Sequence, residues 1–102
     1  MVRHVIRQVV KTGHYKDFMN ASKVRNDAGL KFGIPAYRVY ASTWGTFNEV
    51  FTEAEYESSA GLEALLTAAE DDADFREAFA GVVSLLVDGE TRDNLLTEQS
   101  LG

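Results

Sequence analysis

A chain of 102 residues and 11.3 kDa has room for one domain around one modest core. Its net charge of −6 and isoelectric point near 4.8 argue against a nucleic-acid or anionic-membrane surface, because both need a basic field. With no cysteine, disulfides, thiolate catalysis, zinc–thiolate sites and iron–sulfur clusters are excluded. A hydrophobic content of 45% and a charged content of 25% are those of a folded globular chain. Met1-Val2-Arg3-His4 lacks the apolar core of a signal peptide, and no apolar run reaches transmembrane length. A cytoplasmic protein is the expectation.

Val2 to Val10 reads as a first strand, with Val2, His4, Ile6, Gln8 and Val10 on one face and Arg3, Val5, Arg7 and Val9 on the other. Lys11-Thr12-Gly13 leads out of it, and His14 or Tyr15 opens a helix to about Ala28. On that helix Phe18, Ala21, Val24 and Ala28 gather on one side. Gly29 and Gly33 stop it, and Pro35 biases Ile34 to an extended conformation.

Ala36 to Trp44 and Asn48 to Tyr56 both alternate with period two about a short turn, which predicts an antiparallel hairpin. With Gly45 facing Asn48, one face carries Arg38, Tyr40, Ser42 and Trp44 beside Glu49, Phe51, Glu53 and Glu55. The other carries Tyr37, Val39, Ala41, Thr43, Val50, Thr52, Ala54 and Tyr56, which suits a core covered by helices. In that register Arg38 opposes Glu55 and Tyr37 opposes Tyr56.

Ser58 or Ser59 caps a helix whose Leu62, Leu65, Leu66 and Ala69 lie on one face. Asp74, with Glu77 three residues on, starts another, with Phe75, Ala78, Phe79, Val82, Val83 and Leu86 on its apolar side. Asp88-Gly89 turns the chain into a polar last strand, Thr91 to Thr97. The fold class is therefore α+β: a ferredoxin-like βαββαβ domain over 1–97, with an antiparallel four-stranded sheet, helices on one face and the second helix in two pieces. Residues 98–102 read as a frayed tail.

Lys11-Thr12-Gly13-His14 before Phe18, Gly33-Ile34-Pro35-Ala36-Tyr37-Arg38-Val39, and Glu53-Ala54-Glu55-Tyr56-Glu57-Ser58 before a Leu-rich helix together resemble the NIPSNAP-like branch of the dimeric α/β-barrel superfamily. The resemblance covers nearly the whole chain and implies a homodimer paired sheet face to sheet face. Some members of that superfamily, similar to antibiotic-biosynthesis monooxygenases, oxidise aromatic substrates without metal or flavin, and others isomerise small molecules. NIPSNAP-like members mostly lack an assigned chemistry.

The candidate residues each have two readings. His4, mid-strand on the helix-facing side, can act as acid, base or ligand, or serve as a hydrogen-bonded core residue. His14 at a helix entrance is a solvated or capping residue, and two histidines ten apart make no metal signature. Tyr37 and Tyr56 near His4 form either a polar-aromatic lining for a small ligand or a core with hydroxyls at its rim. Glu49, Glu53 and Glu55 are either paired carboxylates for acid–base work or cross-strand ion pairs with Arg38, Arg3 and Arg7. Tyr40, Trp44 and Phe51 are the expected apolar anchors of the dimer interface, flanked by Arg38, Glu53 and Glu55. The expected function is a homodimer without metal or cofactor that binds a small aromatic or lipophilic molecule through His4, Tyr37 and Tyr56. The alternative is a cofactor-independent monooxygenase or isomerase with His4 as proton acceptor.

Overall fold

The computed structural model describes residues 1–102 as strand β1 (Val2–Val9), helix α1 (Tyr15–Gly29), strands β2 (Arg38–Ala41) and β3 (Glu49–Tyr56), helices α2 (Ser59–Ala69) and α3 (Ala73–Val83), and strand β4 (Arg92–Thr97). The sheet order is β2-β3-β1-β4, antiparallel throughout, which is the ferredoxin-like arrangement. Central β1 pairs on both sides, so that His4 lies between Ala54 and Leu95. Its even residues face the helices. One core cluster joins Ile6, Ile34, Tyr37, Tyr56 and Leu62, and the other joins Val10, Phe18, Val50, Val82 and Leu86. No helix is long and apolar enough to cross a membrane.

Three expectations need correction. On α1 the buried stripe is Phe18, Ser22, Arg25 and Gly29, while Val24 is exposed. Small residues let the helix approach closely: a Cβ on Gly29 would lie 3.2 Å from the Ile34 Cβ. A stripe of Ser, Arg and Gly is invisible to a search for apolar periodicity.

The hairpin pairs two residues out of the expected register. Arg38 opposes Glu53, not Glu55, and Tyr40 opposes Phe51. A wider loop closes the hairpin, with Ser42 N–H donating to Glu49 O (3.1 Å) and the Ser42 hydroxyl to Glu49 Oε1 (2.7 Å). Gly45 at φ 140° and Asn48 at φ 60° provide the left-handed conformations that the loop requires. A shift of two preserves each residue's face, but it lifts Trp44 off the strand into the loop, where it is 92% exposed. Trp44 is therefore not on the sheet face.

The third correction concerns α3. Asp72, not Asp74, is its cap, accepting from the Phe75 N–H at 2.9 Å while pairing with Lys31 at 2.6 Å. That ion pair ties the turn after α1 to the start of α3, and the Lys31 ammonium holds the Asp72 carboxyl below its usual range. The Ser58 cap of α2 is as expected.

Because Phe18 is fully buried, Phe18→Ala should lower stability by about 3–5 kcal/mol in urea titrations. Val24→Ala should stay within about 0.5 kcal/mol. Comparable losses at the two positions would contradict the observed helix face.

Candidate functional site

Tyr37 immediately precedes β2, where no strand partner serves its backbone. Asn26 of α1 supplies both missing bonds: its Nδ2 donates to the Tyr37 carbonyl and its Oδ1 accepts the Tyr37 N–H, each at 3.0 Å. Held in this way, the ring runs under α1 and its hydroxyl reaches the sheet. There it lies 2.5 Å from His4 Nδ1 and 2.8 Å from the Tyr56 hydroxyl, and His4 Nε2 lies 2.5 Å from Asp93 Oδ1. An ionised carboxylate only accepts, so Nε2 carries the proton and donates to Asp93. Nδ1 then accepts from Tyr37, whose oxygen accepts from Tyr56. The four side chains form one directed chain from β3 to β4.

Beside this chain the helices and sheet border a partly open pocket of about 450 Å³. His4, Ile6 and Gln8 floor it, Arg25 and Asn26 enter from α1, and Phe75, Phe79, Val82 and Val83 form the α3 wall. Phe79 and Val83, expected in the core, are half-exposed because they face this space. The segment from Leu86 to Asp93 closes the remaining side, anchored where Val10 bridges Leu86 and the Val87 N–H donates to Val9 O at 2.8 Å. Tyr37 lines the pocket. Tyr56 does not; it sits behind Tyr37 and reaches the pocket only through the shared hydrogen bond.

Burial pushes the Tyr37 phenol far above its usual value and raises Tyr56 as well. The Arg25 guanidinium stacks 4.4 Å from the Tyr37 ring centre. Burial lowers its pKa, and the two tyrosines oppose that shift. Arg25, Asn26 and Asp93 escaped the sequence reading. Arg25 occupies a stripe scored for apolar residues, and Asp93 lies on a strand too polar to suggest a role.

On the opposite sheet face the glutamates are engaged with arginines. Arg3 binds Glu55 at 2.9 Å and lies 4.0 Å from Glu53, and Arg7 binds Glu49 at 2.6 Å and Glu90 at 3.2 Å. Arg38 has no ion pair, so the expected Arg38–Glu55 pair does not form. His14 pairs with Asp17 at 3.1 Å on the surface, and no three potential metal-ligating side chains converge anywhere in the chain.

A phenol whose pKa is raised by folding favours the native state below its unfolded value near 10, and that contribution is lost as pH rises beyond it. Calorimetric melting temperatures should therefore fall steeply above about pH 10 in the native protein and less steeply in Tyr37→Phe. Parallel slopes would contradict the buried placement of this phenol.

No family model matches the sequence, and no curated protein does. Solved structures match across the whole chain. An uncharacterized NIPSNAP domain protein from Burkholderia xenovorans is 13% identical, with a TM-score of 0.78 over 100% of this chain and 98% of its own. A NIPSNAP family protein with unknown function from Agrobacterium tumefaciens is 10% identical, with a TM-score of 0.78 over 100% and 91%. A Nitrosomonas europaea protein provisionally assigned as an antibiotic biosynthesis monooxygenase is 11% identical, with a TM-score of 0.70 over 98% and 100%. The chain has the fold that these proteins share.

Proposed function

We propose that this chain is a NIPSNAP-like homodimer that binds a small aromatic or lipophilic molecule in the pocket beside Tyr37. The observation that carries this reading is the pocket itself: about 450 Å³, with ten of its eighteen lining residues hydrophobic and a few converging polar groups. That size and balance are typical of small-molecule sites. His4 and Tyr37 supply polar contacts, and Tyr56 fixes the Tyr37 hydroxyl from behind. The acidic, cysteine-free composition supports a reducing cytoplasm as its location.

The dimer reading is supported by the open sheet face, which no element of the chain covers. Tyr40 and Leu96 are about half exposed there, and Phe51, partly buried, lies between Arg7 and Tyr40 across the sheet. Apolar residues framed by self-satisfied ion pairs suit a two-fold face-to-face contact, with Arg38 at its edge. Trp44 and Phe47, both strongly exposed in the hairpin loop, would flank that contact from the loop.

A second reading, a cofactor-independent isomerase or monooxygenase, is favoured by the chain from Asp93 through His4 to Tyr37. A proton taken from a pocket-bound substrate by the Tyr37 oxygen can be matched by transfer of the Tyr37 proton to His4 Nδ1, with Asp93 stabilising the imidazolium. A polyphenol screen tests this reading. Turnover that disappears in both His4→Ala and Tyr37→Phe supports it, and turnover that survives both rejects it.

For the binding reading, 2-naphthol should bind saturably in calorimetric titrations. Val83→Trp, which fills the pocket from its half-exposed wall, should weaken binding at least about tenfold without unfolding the protein. Unchanged affinity would place the ligand elsewhere. Light scattering should give about twice 11.3 kDa, and Phe51→Glu should halve that mass; a wild-type monomer at micromolar concentration would overturn the dimer.

A further inference from the structure

Arg25 is 8% exposed, and its Nη2 is buried without a hydrogen-bond partner. No carboxylate lies within ion-pair distance of it, although the other ion pairs of the chain are made on its surface and sheet face. Its one favourable contact is the Tyr37 ring. A desolvated cation–π contact offsets only part of the cost of burying an ion. The guanidinium is therefore a charge that the fold itself leaves uncompensated, and Arg25 lines the pocket. Gln8 adds a second donor. Its Oε1 accepts from the Thr52 hydroxyl at 2.7 Å, and its amide nitrogen, in the same pocket wall, has no hydrogen bond within the protein.

We infer that the pocket is built for an organic anion: a molecule with an apolar aromatic or branched body and one delocalised oxyanion, such as a carboxylate, received by Arg25 and Gln8. This rests on the proposal that the pocket is a small-molecule site and narrows what it takes. The apolar body meets Ile6, Ile34, Phe75 and Val82, and the planar fork of Arg25 suits a carboxylate. Asp88 and Asp93 also border the pocket. Both are exposed and screened by water, and Asp93 is engaged by His4, so they oppose an anion far less than desolvated Arg25 attracts it. An inorganic anion would satisfy the arginine but leave the apolar wall empty.

Calorimetric titration of the whole protein with 2-naphthoate and its neutral isostere 2-naphthamide tests the assignment. The carboxylate should bind at least about tenfold more tightly, and Arg25→Met should abolish that preference while still binding the amide. In the unliganded protein Arg25→Met should raise Tm by about 4 °C or more, because it removes an unpaired buried charge. Equal affinity of the native protein for both probes would overturn the anion assignment and leave the pocket standing. Failure to bind either probe would overturn the pocket reading and the assignment with it. A lowered Tm in Arg25→Met would make the arginine a structural residue and overturn the assignment on its own.

Discussion

The structure turns on the way Tyr37 is held. Its backbone is clasped by Asn26, its ring lies under Arg25, and its hydroxyl is shared between His4 and Tyr56. These partners come from α1, β1 and β3, and His4 extends the connection to Asp93 on β4. A buried phenol without partners costs about 1–3 kcal/mol, so the surrounding elements are constrained to positions that satisfy it. The same constraint keeps the ring upright at the pocket edge. The pocket is therefore a consequence of how the sheet and α1 are joined.

The two sheet faces solve different problems with similar residue types. Toward the helices, Tyr56, Tyr37, His4 and Asp93 are linked in one chain beside the pocket, and Gln8 pairs separately with Thr52. Away from the helices, arginines and glutamates neutralise one another across β1, β3 and the segment before β4, so that apolar side chains such as Phe51 and Tyr40 lie among satisfied charges. A core face would not tolerate these charges, and a purely solvated face would not need the aromatics.

Much of this was legible from period-two alternation, which assigned the paired hairpin residues to their correct faces, although it put Trp44 on a strand that ends before it. Register was not legible, because it depends on loop conformations at Gly45 and Asn48 that alternation does not encode. The adjacency of His4 and Tyr37 follows from their faces and could be anticipated. Arg25 could not, since a helix stripe of Phe18, Ser22, Arg25 and Gly29 is recognised only when Tyr37 is seen stacked against it. Asp72 displaced Asp74 as a cap for a similar reason: its partner Lys31 is distant in sequence. The Arg25 and Asp72 misses share a cause: each depends on a contact between elements, whereas composition and periodicity report on single elements.

The central claim, that His4 and Tyr37 form one hydrogen-bonded unit, can be observed directly through the imidazole nitrogens. Nitrogen-15 NMR at about pH 8.5, where a free imidazole is unprotonated and exchanges between tautomers, provides the comparison. The account predicts a single fixed His4 tautomer, protonated at Nε2, with an Nδ1 resonance that moves when Tyr37 is replaced by phenylalanine. A His4 ring averaging between tautomers, or indifferent to Tyr37→Phe, would contradict it.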